Sequence, residues 1–231
     1  MKTIDLEFAG KNLEAFYAGK PLTHRIAEIE DNLENVSAEQ VSRFLTSQSV
    51  DESVLGSAFV LKALAGQINV VIHTVGILVS LPHILETGEM VEYVSLGAGN
   101  TGKDFDLETD RRVAEFKFIN WQGGAEAIRQ NQVFKDLFYL AEYDGEKQRL
   151  LYVIGKQHPL RFLSGRRGLS SILSHNEALR NAFYGKYGER YQVVSDYYRD
   201  VKTQVEIVDL QDLVPFFRNV GTSETADRQP V

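Results

Sequence analysis

The sequence predicts an α/β fold built on a mixed sheet, and three observations carry that prediction. Apolar and polar residues alternate with period two over 104–109 and again over 112–120, the spacing of half-buried strands. The segment 125–143 places Ile128, Val133, Phe134, Leu137, Leu140 and Ala141 on one stripe of a helix. The run RLLYVI at 149–154 is continuously apolar, as a central strand covered on both faces is.

Taken in order, the first 50 residues read as helices with polar faces, at about 20–35 and 38–48, the second after a Ser37 cap. Asp51 or Ser53 caps a further helix whose apolar positions include Val54, Leu55, Ala58, Phe59, Leu61 and Leu64. Residues 68–85, INVVIHTVGILVSLPHIL, are strongly apolar. Asn69, His73 and Pro82 interrupt this run, basic flanks are lacking, and it lies at the short end for a membrane span. It therefore reads as a buried core element, with its β-branched residues leaving helix and strand both open. His73 and His83 read as core or surface histidines rather than ligands. Residues 90–96 form a strand, followed by a glycine loop and the two alternating strands. After Gly123-Gly124 come the 125–143 helix, a turn at Asp144-Gly145 and the 149–154 strand. Beyond it the pattern gives a helix at about 170–184, a stretch of unassigned type near 191–200, a strand near 205–208 and a short helix near 210–217. With no internal repeat and no dividing linker, one domain is expected over 1–220, and a disordered tail over 221–231.

Composition narrows the function classes. A chain of 231 residues, 43% hydrophobic, can bury a sizeable core. Its net charge of −7 excludes indiscriminate coating of nucleic acid or anionic membrane, so phosphate contacts must come from local patches. The absence of cysteine excludes disulfides and thiolate-bound zinc. The opening MKTIDLEFAG carries acids where a signal peptide needs an apolar core, so a cytoplasmic protein with no membrane association is expected.

The loop GAGNTGKD at 97–104 matches G-x-G-x-x-G and most of G-x-x-x-x-G-K-[ST]. A phosphate loop works because a helix starts directly after it and offers free N–H groups. Here DFDLETD follows, with strand periodicity, and Asp104 stands where a metal-binding hydroxyl should be. The loop reads as a turn between strands.

Treating DFDLETDRRVAEFKF as a hairpin that turns at Asp110-Arg111 pairs Thr109 with Arg112, Asp106 with Glu115 and Asp104 with Lys117. Phe105, Leu107, Ala114, Phe116 and Phe118 then form a core face. Asp104, Asp106, Glu108, Val113, Glu115 and Lys117 share the other side. Cross-strand partners lie about 5 Å apart, where like charges destabilise. A divalent cation removes the repulsion between Asp106 and Glu115, and two carboxylates with a backbone carbonyl and waters make a good Mg²⁺ site. Lys117, on the same face, is placed to stabilise charge on a phosphate or hold a water. The plainer alternative is a solvated face with an Asp104–Lys117 surface ion pair.

Asp106, an eight-residue gap and Glu115-Phe116-Lys117 together resemble the D…(D/E)-x-K motif of the PD-(D/E)XK, or restriction endonuclease-like, nucleases. The element order over about 51–155 is similar too: helix, three antiparallel strands, helix, strand, here with helical additions at both ends. The resemblance implies a Mg²⁺-dependent nuclease, with Mn²⁺ able to substitute, that hydrolyses phosphodiester bonds, those of DNA foremost. It also implies Asp106, Glu115 and Lys117 as catalytic residues, and Asp106, Glu115 and the Phe116 backbone carbonyl as metal ligands. An acid from the first core helix, Glu52, would add to them. Polar residues on the helix after the third strand, Gln130 and Gln132 with Arg129, would meet substrate. Many such folds act as homodimers, though no feature of the sequence demands it. Phe105 stands where the family has Pro, and the Gln-x-x-x-Tyr pattern of exonuclease-like members is absent, Gln130 being followed by Phe134 and Gln132 by Asp136. The alternative function is a nuclease-like fold used as a non-catalytic interaction module.

Basic residues concentrate at Arg111-Arg112 and at Lys156, His158, Arg161, Arg166 and Arg167. The stretch RFLSGRRG at 161–168 reads as an exposed loop in which Arg166 and Arg167 could grip phosphates. Trp121 suits either base stacking or core packing.

Overall fold

The structure is a computed structural model and describes residues 5–34, 36–48, 50–97, 104–119, 121 and 126–219. The chain divides into two compact units, Met1–Asn69 and Val70–Val231, where the sequence reading grouped one domain.

The N-terminal unit holds helices α1 (Leu6–Tyr17), α2 (Leu22–Asn32) and α3 (Ala38–Ser47) and the start of α4 (Glu52–Ile84). Ser37 and Gln40 cap α3 reciprocally, as the sequence suggested. Asp51 accepts the Ser53 and Val54 N–H groups at 2.8 and 3.4 Å and so starts α4. Helix α1, capped by Asp5, was not separately foreseen.

Helix α4 runs through the whole apolar 68–85 segment to Ile84, which decides helix over strand. The expectation of a buried element is corrected. Ile77, Ser80 and Ile84 are buried, but Ile68, Val71 and Val75 stay 50%, 51% and 49% exposed. By length and composition alone, α4 is apolar enough to cross a membrane.

In the C-terminal unit, strands β1 (Val91–Val94), β2 (Leu107–Thr109), β3 (Arg112–Lys117), β4 (Gln148–Val153) and β5 (Glu206–Asp209) form one mixed sheet in the order β1-β2-β3-β4-β5. The first three are antiparallel neighbours, whereas β3–β4 and β4–β5 are parallel. Helix α5 (Ala127–Ala141) makes the first parallel crossover. Helices α6 (Gln157–Leu163), α7 (Leu169–Leu173), α8 (Glu177–Tyr187) and α9 (Val194–Val201) make the second. A four-residue helix, α10 (Leu210–Leu213), and a 3₁₀ turn, Pro215–Asn219, follow β5.

Strand alternation sends side chains to two cores. Val113, Leu151 and Val153 face α5, α7, α8 and α9, where Phe134, Phe138, Phe183 and Tyr197 pack together. Leu107, Ala114, Phe116, Leu150 and Tyr152 face Ile77 and Ile84 of α4 and Leu210, Val214 and Phe217. Phe105 is a correction: it joins the α5 side, edge-on to Tyr143 at 5.7 Å, because it precedes β2 at a bend where strand alternation does not apply. Arg112 is another. Far from offering charge to substrate, it is 5% exposed, and its Nε and Nη2 donate to both carboxylate oxygens of Glu89 at 2.6 Å while Nη1 donates to Tyr152.

No helix starts at Asp104, and β2 begins at Leu107. Residues 98–103 of the glycine loop and the 221–231 tail lie outside the described residues.

Candidate active site

The hairpin register follows the predicted pairing, with Leu107 opposite Ala114 and Glu108 opposite Val113. Asp106 lies one residue before β2. Its Oδ2 accepts the Phe116 N–H at 2.9 Å, which fixes the carboxylate against β3. Its Oδ1 stands 3.3 Å from Nε2 of His73 on α4. On β3, Glu115 and Lys117 point to the α5 side of the sheet, as the period of two requires. There Asp136 of α5 meets the Lys117 ammonium at 2.7 Å, and Glu115 stands 3.7 Å from the same nitrogen. Asp104 is exposed and is not the partner of Lys117, so the surface-pair alternative falls.

Asp106, Glu115 and Asp136 crowd one ammonium in a largely dry site, with side-chain exposures of 16%, 14% and 6%. Burial pushes Glu115 up to about 9, and the Asp136 and Asp106 carboxylates add to the shift, so it holds a proton at neutral pH. Burial also pushes Asp106 up, but the His73 and Phe116 hydrogen bonds and the Lys117 charge outweigh it and hold the carboxyl below its ordinary value. Burial pulls Lys117 down; the three acids more than reverse this and keep it charged. Asp136 is pushed up by burial against the pull of that ammonium.

Sequence reasoning missed Asp136 and His73 as site residues. Asp136 had a readable signal: it sits three residues after Val133 and four before Leu140, on the buried stripe of α5, where an acid needs a partner. His73 had none beyond being one of two imidazoles in an apolar run. Of the other expected residues, Arg129 and Gln132 line one small hollow with Lys117. Glu52 is exposed on the first turn of α4 in the N-terminal unit. Arg129 pairs with Glu126, and Gln130 accepts from Arg167. Arg166 is exposed in the turn after α6, whose last residues take up part of the expected 161–168 loop. Gln132 lines a small hollow of about 10 Å³ beside Lys117. Trp121 is a core residue, 7% exposed and packed between His158 and Phe162.

Among the described residues, no group of three or more acidic or imidazole side chains is placed to hold a metal ion. No family model matches the chain, and no curated protein or solved structure is significantly similar to it.

Proposed function

We infer that the protein is a metal-dependent nuclease with a restriction endonuclease-like core that hydrolyses phosphodiester bonds, those of DNA foremost, in the cytoplasm. The observation that carries this reading is the convergence of Asp106, Glu115 and Lys117 at the open end of one hairpin, in the register their spacing predicted. The donor set fits a hard divalent cation. Three carboxyls face one lysine, so negative charge is in excess, and Glu115 keeps its proton only while no second cation is near. Asp106 and Glu115 would hold Mg²⁺ or Mn²⁺, which supplies Lewis-acid polarisation of phosphate and an acidified water. Asp106 is presented by the Phe116 N–H. Lys117, held by Asp136, directs a fixed positive charge at the negative charge that develops on the phosphoryl oxygens. Glu115 would release its proton to solvent in order to hold the cation as an anionic ligand.

One observation favours the non-catalytic alternative: the Asp136–Lys117 pair and the protonated Glu115 satisfy each other without any ligand. Digestion of supercoiled, linear and single-stranded DNA with Mg²⁺, Mn²⁺ or chelator separates the two. The nuclease reading expects cleavage that needs metal and is lost in Asp106→Ala. Inactivity on every substrate and ion, or cleavage unchanged by Asp106→Ala, would transfer the assignment to the binding module.

A further inference from the structure

We propose that the outer surface of α6 and α7 is a nucleic-acid backbone contact, with Arg161 and Arg166 gripping phosphates. The proposal rests on the nuclease reading above only for what the strand is brought to, and adds the surface that holds it. Residues 147–176 carry six Lys or Arg and no Asp or Glu, in a chain whose 32 acidic residues outnumber its 25 basic ones. A polyanion that approaches such a chain needs a local positive field, all the more because Asp106, Glu115 and Asp136 crowd the site itself.

The fold turns this stretch outward beside Lys117. Helix α6 buries Pro159, Phe162 and Leu163, which leaves Arg161 and Ser164 in solvent, and exposed Arg166 follows in the turn. Helix α7 buries Leu169, Ile172 and Leu173 and exposes Ser170, Ser171 and Ser174. Pro159 lines the same hollow as Lys117 and Arg129, and His158 stacks on Trp121 with ring centroids 6.2 Å apart. The basic surface therefore begins at the wall of the site.

Its charges are not neutralised within the fold. Lys156 does pair with Asp212, at 3.2 Å. Arg167 donates to Gln130 and Ser171, neither of which cancels its charge. Arg161 and Arg166 meet no carboxylate among the described residues. Arginine guanidinium and serine hydroxyl groups are common protein donors to phosphate oxygens.

The surroundings select nucleic acid over an anionic membrane. A helix that lies on lipid buries large apolar side chains beside its cations, and residues 156–176 expose none. Contacts to phosphate carry no base information, so the binding is independent of sequence.

The test is fluorescence anisotropy of labelled oligonucleotides of two unrelated sequences, single-stranded and duplex, in chelator so that nothing is cut. The proteins are wild type, Arg161→Gln/Arg166→Gln, and Lys11→Gln/Arg43→Gln, a control that removes two exposed cations of the N-terminal unit. Thermal unfolding verifies that each is folded. Wild-type affinity should be alike for the two sequences and fall with salt. Each phosphate contact adds about 0.9 to the slope of log affinity against log salt on duplex DNA. The Arg161→Gln/Arg166→Gln slope should therefore be shallower by about 1.8, so that between about 50 and about 200 mM salt this variant loses about tenfold less affinity than wild type. The control should match wild type. Equal slopes in wild type and Arg161→Gln/Arg166→Gln, an equal change in the control, or no wild-type binding at about 50 mM salt overturns the proposal. Tighter binding to polyglutamate or to phosphatidylserine vesicles overturns the choice of partner. Cleavage of the same oligonucleotides with Mg²⁺ or Mn²⁺ is scored separately. Arginine-dependent binding without cleavage keeps this surface and sinks the nuclease reading, whereas metal-dependent cleavage with binding unchanged in Arg161→Gln/Arg166→Gln does the reverse.

Discussion

Glu115 makes the stability of the protein depend on pH in a direction opposite to that of an ordinary paired carboxylate. In the unfolded chain it titrates near its ordinary value of 4.5, and in the folded protein at about 9. Between those values the folded state holds a proton that the unfolded chain has lost. The stability this contributes is complete below the unfolded value, declines as pH rises and is gone above about pH 9. From pH 7 to pH 9 the loss is two pH units at about 1.4 kcal/mol each, hence at most about 2.7 kcal/mol. Glu115→Gln retains the shape of the protonated acid and cannot ionise, so its stability lacks this component. The assay is urea unfolding in chelator at about pH 7 and about pH 10, followed by the fluorescence of Trp121, the single tryptophan, buried in the C-terminal unit. Wild type should lose about 2–3 kcal/mol more than Glu115→Gln across that interval. Parallel losses in the two proteins would show that Glu115 is ionised in the folded protein and would refute the electrostatic account of the site.

Lys117 and Asp136 should be strongly coupled. Breaking a buried pair typically costs about 3–5 kcal/mol, so Lys117→Ala should destabilise well beyond a surface pair, and a double-mutant cycle with Asp136→Ala should return a coupling of about 1–3 kcal/mol. Additive single effects would place the lysine in solvent. Gly76→Ala improves helix propensity by about 1 kcal/mol, yet its Cβ would stand 2.7 Å from the Phe118 ring. Urea unfolding should therefore show a net loss of about 1–2 kcal/mol from overpacking, and a stabilised variant would mean that the ring yields freely.

The part of the site written in local pattern was readable from sequence. Period-two alternation and a turn at Asp110-Arg111 fix which residues face each other, so the hairpin register and the shared side of Glu115 and Lys117 followed directly. What local pattern does not encode is the partner across a crossover. Arg112 looks like half of an exposed basic pair with Arg111 until β3 is placed beside Glu89, 23 residues earlier in the chain. Lys117 has a plausible neighbour in Asp104, but α5 brings Asp136 closer. The faces of α4 were unreadable for a related reason: apolar residues fall on every side of a helix over 68–85, so no period distinguishes the buried side that holds Ile77 and Ile84 from the exposed one.

The parallel β3–α5–β4 crossover also bears on the order in which the molecule assembles. The antiparallel β2–β3 hairpin forms from near neighbours, but it leaves Lys117 without Asp136, its nearest counter-ion, until α5 docks. Sealing that lysine under the sheet alone would strand a charge in a dry interior. Docking of α5 therefore brings Asp136 to Lys117 as it buries the β3 face. A partly folded chain would then present Lys117 without the Asp136 carboxylate that holds it in the folded protein. The four polar residues would appear and disappear together in any sub-global opening of the C-terminal unit.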